Sequence, residues 1–268
     1  MITKAVVFAA GAGTRMQRTA AVALTPAQRD AAAEGHKALM PVGRPFLDYV
    51  LWAYAEAGIT ALCLVVRPDA SALRARYADR QVGPLRVHFA EQATARGTAD
   101  ALWSARAFIG DDHVLTGNGD NLYPVEAIQA LVHADGPGLV GFSVTALVER
   151  GNVAASRLGG FALLETDAAG DLTAIHEKPG HEALAAAGAT ARFSMNLWAL
   201  PPVIVEACTR IAPSARGEYE LPDAVRWTMR DGGPHYRVHP SDAAVLDLSQ
   251  QEDVPLVTER LRAVQLPW

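Results

Sequence analysis

A chain of 268 residues, 50% hydrophobic and 20% charged, has the balance of a globular enzyme rather than a disordered or fibrous protein. Its net charge of −5 supplies no basic field for nucleic acid, and neither a run of 18 apolar residues nor a basic-then-apolar leader points to a membrane. Cys63 and Cys208 both fall in apolar segments and read as buried, reduced thiols, so a cytoplasmic protein is the default expectation.

Residues 5–10 form a short apolar run that reads as a buried parallel strand. Gly11, Ala12 and Gly13 follow, then Thr14 and Arg15. Small residues let a backbone turn tightly and approach a ligand, and successive N–H groups in such a turn make an anion-binding concavity. Arg15 adds a planar fork suited to phosphate. The dinucleotide fingerprint needs a third glycine where Met16 stands, and the Walker pattern is absent. The loop by itself fits a phosphate cradle or a chemically idle Gly-rich turn equally well.

Residues 16–36 follow as a long insertion. Thr25 and Pro26 open a short helix at N-cap and first position, and Gly35 is placed to end it. The insertion reads either as a lid over the loop or as a solvated excursion. Downstream, the spacing predicts a helix over 46–57, a strand over 61–66, a helix over 71–77 and a strand over 85–89. A helix over 98–108, a short strand at 114–115, a helix over 125–133 and a strand over 138–144 complete the first half. This alternation predicts an α/β fold with a mostly parallel, doubly wound sheet, whose ligands bind beyond the carboxyl ends of the strands. Gly11, Glu91 and Asp120 all follow strand ends and so point to one crevice.

The second half changes character. Residues 161–164, 172–175 and 193–200 are strand-like, with a hairpin turn at 167–171. They suggest a smaller mixed β region over the crevice. Helices over 201–211 and 221–229, a strand over 244–248 and a helix over 252–264 close the chain. No Pro-, Gly- or Ser-rich linker divides it. A single domain over 1–268 is expected, its two halves meeting at about 145.

Individually the chemical candidates are ambiguous. Asp120, in Asn118-Gly119-Asp120-Asn121, suits either a hard cation or an Asx-turn. Lys178, in Glu177-Lys178-Pro179, suits a phosphate or a solvated turn. Asp247 reads as a second metal carboxylate or a residue of a helix N-cap region. Jointly, and in order, these motifs resemble the sugar-1-phosphate nucleotidyltransferases, the pyrophosphorylases that make nucleotide sugars. The resemblance runs from Lys4 to about Val264. Residues 9–16 are similar to the family's N-terminal signature, and Lys37 with Met40, Pro41 and Pro45 to its lysine segment. Gln92 and the run Gly97-Thr98-Ala99-Asp100-Ala101 resemble its base-recognition segment.

The resemblance implies a nucleotide-binding half to about 145, a sugar-binding half beyond, and site residues with their roles. Ala10, Gly11, Ala12, Gly13 and Thr14 would cradle the triphosphate, with Arg15 and Lys37 drawing charge off it. Gln92, Gly97 and Thr98 would meet the base. Asp120 and Asp247 would hold Mg²⁺. Lys178 would place the sugar phosphate, and Asn121, Gly160, Glu177, Asn196 and Glu218 would line the sugar pocket. The amide of Gln92 suits uracil or thymine, which favours UTP or dTTP, although Gly-Thr-Ala-Asp-Ala also resembles the adenylyltransferases of glycogen synthesis. The expected partners are an NTP and a sugar-1-phosphate, without nucleic acid or membrane, in a chain free to form a homo-oligomer. Two departures stand out. The 22 positions from Arg15 to Lys37 exceed the family's spacing, and Leu-Asp-Leu-Ser-Gln-Gln stands around Asp247 where many members have Trp-x-Asp-x-Gly-Thr. The left-handed β-helix of the bifunctional acetyltransferase members has no counterpart here, so a second acyl transfer is not expected. Competing readings are a metal-dependent glycosyltransferase of the related fold, a cytidylyltransferase acting on phosphocholine, and a non-catalytic nucleotide-sugar-binding regulator.

Overall fold

The computed structural model describes residues 1–78 and 81–267. Strand β1 (Lys4–Phe8) leads through the loop and the insertion helix α1 (Pro26–Ala33) to α2 (Phe46–Glu56) and β2 (Ala61–Val66). Then come α3 (Ser71–Tyr77), β3 (Gln81–Val82), β4 (Leu85–Glu91), α4 (Thr98–Ser104) and α5 (Arg106–Ile109). β5 (Val114–Asn118), β6 (Asn121–Leu122), α6 (Val125–Val132) and β7 (Gly138–Ser143) complete the first half. The second half carries β8 (Ala162–Thr166), β9 (Leu172–His176), α7 (His181–Ala187), β10 (Arg192–Leu200), α8 (Ile204–Arg210) and α9 (Leu221–Thr228). It ends in β11 (Arg237–Ser241), β12 (Leu246–Asp247) and α10 (Asp253–Leu261).

The main sheet runs β11-β7-β10-β5-β1-β2-β4-β3. β1 pairs in parallel with β2 and β5, and β2 with β4. β10 breaks the pattern, lying antiparallel between β7 and β5. Side chains along the central strands divide by parity. Ala5, Val7, Leu62, Leu64 and Val66 enter one core, shared with Phe46, Leu51, Ile128 and Val257. Val6, Cys63 and Val65 enter another, shared with Leu102, Ile204 and Val225. The continuous apolar runs of β1 and β2 therefore have helices on both faces, α2, α6 and α10 on one and α4, α8 and α9 on the other. The α/β, doubly wound, mostly parallel expectation is met.

Several details differ from expectation. The β8–β9 hairpin is joined to the main sheet through the first half of β10, while the separate small sheet consists of β12 and β6. β11 lacks an apolar run; it is an edge strand, where Pro240 costs no ladder bond to a second neighbour. The helix foreseen over 98–108 divides at Ala105. Cys63 and Cys208 are free and buried, and burial pushes both thiols up to about 12. Among the described residues no helix is long and apolar enough to cross a membrane.

Candidate active site

A cavity of about 680 Å³ opens beyond the carboxyl ends of β1, β2, β4 and β5. That size suits a small-molecule ligand, and the position is the one a parallel sheet favours, because consecutive strand-to-helix loops converge there. Ala10, Gly11, Ala12, Thr14 and Arg15 line it. Gly13 does not. Its φ of +66° and the 2.4 Å that would separate an added Cβ from the Gly35 carbonyl show that it seats the loop on the end of the insertion. At Gly11 an added Cβ would meet no protein atom within 4 Å.

The insertion is docked rather than draped. Met16 is fully buried, and Leu24 and Ala32 join the core. Thr25 and Gln28 form a reciprocal capping box at the start of α1. Gln28 also donates to Pro41 O at 2.8 Å, and Gln251 donates to Met16 O at 2.9 Å. This packing brings Gly35, His36 and Lys37 to the cavity wall, so the long spacing from Arg15 still delivers the lysine.

Lys37 Nζ lies 2.8 Å from Asp120 Oδ2. Asp120 sits in the turn between β5 and β6, where Gly119 N–H donates to Phe8 O. Asp247 enters from β12, which pairs antiparallel with β6 and sets Asp247 against Asn121. It is 2% exposed and does not line the cavity. Asn121 Nδ2 and Ser249 Oγ donate to its Oδ1, each at 2.8 Å, and Arg157 donates to its Oδ2 at 2.5 Å. Arg157 also pairs with Asp253. Burial, then the charge of Asp120, raises the Asp247 carboxyl above its ordinary value, against Arg157. The Asp253 carboxyl, buried beside Asp247, is pushed up to about 6.

At the other end, Gln92 follows β4 and is nearly buried, with Nε2 donating to Gly97 O at 3.1 Å and Asp100 Oδ2 at 2.8 Å. Gly97 has φ +106°, and an added Cβ would stand 2.4 Å from Tyr219 O. The missing side chain admits the neighbouring chain segment: Ala99 N–H donates to Tyr219 O and Tyr219 N–H to Arg96 O. Thr98 lines the cavity while its Oγ1 accepts from Leu221 N–H.

Asn196 and Glu218 also line the cavity. Asn196 holds φ +61°, at the register shift of β10 against β7, a conformation its short amide tolerates. Asn121, Gly160, Glu177, Lys178 and Asp247 are not on the cavity wall. The Asn121 amide is spent on Asp247 and the Asp120 carbonyl. Glu177 follows β9; desolvation and then the charge of Glu220 raise its carboxyl, so it stands within electrostatic reach of the rim. Lys178 is exposed with φ +49°.

Sequence reasoning passed over Arg67 and Arg216, both on the wall, and Arg157 behind it, while Glu220 lies on the wall within the segment 217–221 that resembles a pocket lining. Arg67 immediately follows β2 and was findable from the strand-end rule. Arg216, paired with Glu218 and Glu220, had no such signal. Magnesium favours hard oxygen donors and takes only one or two carboxylates beside phosphate oxygens and water. Asp120, facing the cavity, fits that chemistry. Asp247 gives both oxygens to protein donors, and among the described residues no group of three His, Cys, Asp or Glu side chains is arranged to hold a metal.

Arg15, Lys37, Arg67 and Arg216 meet Asp120, Glu218 and Glu220 around a loop-lined cavity at the strand ends of a two-faced α/β sheet, the place where such sheets bind ligands. Residues 4–254 match the nucleotidyl transferase family, and the chain belongs to it. The chain is similar to a glucose-1-phosphate thymidylyltransferase of Streptomyces antibioticus, 30% identical over 230 residues, 85% of this chain and 58% of that relative. The chain thus spans little more than half the length of that relative. It is also similar to the UTP–glucose-1-phosphate uridylyltransferase AglF of Haloferax volcanii, 28% identical over 265 residues, 97% of this chain and 96% of that one. In fold it resembles a crystal structure of UDP-glucose pyrophosphorylase complexed with UDP-glucose, with a TM-score of 0.73 at 16% identity over 99% of this chain and 100% of that one.

Proposed function

We propose that this protein transfers a nucleotidyl group from UTP or dTTP to a sugar-1-phosphate, releasing pyrophosphate. The observation that carries the reading is the placement of Arg15, Lys37, Asp120 and Gln92 around one cavity with Asn196 and Glu218. The named activities of the two relatives, on dTTP-type and UTP substrates with glucose-1-phosphate, agree with it.

The nucleophile in such a reaction is a phosphate oxygen, already anionic near neutral pH, so the site has no need of a general base. Its task is to hold two polyanions in line and to neutralise them. The backbone of Gly11, Ala12 and Thr14 would take the triphosphate, and Arg15 would hold the departing pyrophosphate oxygens. Lys37, now on Asp120, would turn to phosphate when substrate enters. Asp120 would hold Mg²⁺, with Asp247 sharing it on release of a protein donor, and Glu177 and Lys178 would serve the acceptor at the rim. The ion supplies a Lewis acid and a template for the phosphate oxygens when bound. Gln92 would read the base, and Asn196 and Glu218 the sugar hydroxyls.

The test is pyrophosphate release with each of five NTPs against a panel of sugar-1-phosphates and phosphocholine, with and without a magnesium chelator. Turnover led by UTP or dTTP with a sugar-1-phosphate, and lost on chelation, is the expected result. Preference for ATP or GTP, or turnover confined to CTP with phosphocholine, sinks the reading.

A further inference from the structure

Gln92 could present either end of its amide to a base, and the two ends select different bases. Its surroundings decide which. Nε2 faces two groups, Gly97 O and Asp100 Oδ2. A backbone carbonyl accepts only, and so does a carboxylate paired with a guanidinium, as Asp100 is with Arg96 at 2.8 Å. The reversed amide would set Oε1 against two acceptors, so this orientation follows from chemistry alone. Oε1 has no hydrogen-bond partner among the described residues and is what Gln92 has to offer the cavity it lines.

We propose that Asp100 is a positioning residue for base selection: by holding Gln92 Nε2 it presents Oε1 to the cavity as a fixed acceptor. Such an acceptor pairs with a base carrying a ring N–H, as uracil and thymine do at N3. It opposes cytosine, whose N3 is itself an acceptor. Asp100 is anchored for the purpose. Arg96 occupies its Oδ1 and leaves Oδ2 for Gln92, while Ser104 Oγ donates to the Asp100 carbonyl. Arg96 in turn lies over the Tyr219 ring, 5.7 Å from its centroid. A line of contacts thus runs from Tyr219 through Arg96 and Asp100 to the base-reading amide. Only 12% of the Asp100 side chain is exposed, which shields its bond to Gln92 from exchange with water.

The inference rests on the proposed pyrimidine specificity, and the experiment separates the two. The ratio of kcat/KM for UTP or dTTP to that for CTP is measured in the native enzyme and in Asp100→Asn, with Asp100→Ser made alongside should the first variant not fold. An asparagine can donate as well as accept, and serine withdraws the charge, so either lets the amide turn. The ratio is expected to fall about 10- to 100-fold, the cost of a charged or unsatisfied hydrogen bond, mainly through KM and with kcat for UTP nearly kept. An equal loss for all three nucleotides, or an unchanged ratio, overturns the role of Asp100 and leaves the pyrimidine reading standing. A native enzyme that uses CTP as well as UTP overturns the fixed acceptor without any variant. A native enzyme that uses neither UTP nor dTTP removes the reading on which both depend.

Discussion

Gly97 is under two constraints at once, a positive φ and a backbone neighbour within reach of any side chain. It lines the cavity, and the side that a side chain would take is filled by the Tyr219 backbone. Gly97→Ala is expected to destabilise the fold by about 2–4 kcal/mol, combining a left-handed alanine with a forced shift of the 219 segment. A fall in Tm of several degrees would be seen by calorimetry. An unchanged Tm would mean that the segment moves aside freely. Asp120 was legible because it follows a strand end, and Gln92 through its resemblance to a base-recognition segment. Their partners were not: Asp100 is eight positions from Gln92, but Arg157 is 90 from Asp247, a separation no local pattern spans.

At the scale of elements, α1 shows how far local rules reach. Thr25 and Pro26 spelled out its start, and in the structure Gln28 completes a capping box there. Where the helix would sit was not written locally. It depends on Gln28 reaching Pro41 and Thr258, and on Gln251 holding both Met16 O and Ala20 N–H. The insertion meets the cavity only at its end, so closure over a triphosphate calls for a shift of residues 17–35 about these clamps. Hydrogen exchange is expected to slow across 17–35 when UTP and magnesium bind. Equal exchange with and without nucleotide would count against a lid. Other boundaries shrank for a related reason. The strand foreseen over 244–248 pairs only at Leu246 and Asp247, since β6 is two residues long.

For the whole molecule, stability against pH reports on a group far from the chemistry. His239 lies on β11 with its Nε2 buried and unpartnered. Burial and then the charge of Arg237 hold its pKa below the ordinary value. The unfolded chain therefore takes up a proton before the folded one does. Stability contributed by neutral His239 is complete above about pH 6.5 and falls as pH drops through that value towards the lower folded pKa. The raised Asp253 carboxyl works in the opposite sense, gaining stability as pH falls through about 6, so the His239 effect is read as a difference: between about pH 7.5 and about pH 5 the native Tm is expected to drop relative to that of His239→Gln. An identical slope in the variant would assign the pH dependence elsewhere.

The sequence by itself determined the α/β class, the strand-end loop, the buried thiols and the order of the motifs, because strand parity, caps and glycine turns act within a few residues. Tertiary structure decided the rest. It inserted β10 antiparallel into the sheet, seated Gly13 on Gly35, returned Lys37 to Asp120 across the insertion, and enclosed Asp247 among Asn121, Ser249 and Arg157. Each of these joins residues through backbone pairing or burial across long loops. Their energies depend on which groups are excluded from water together, and that is set only when the sheet closes and both cores are packed.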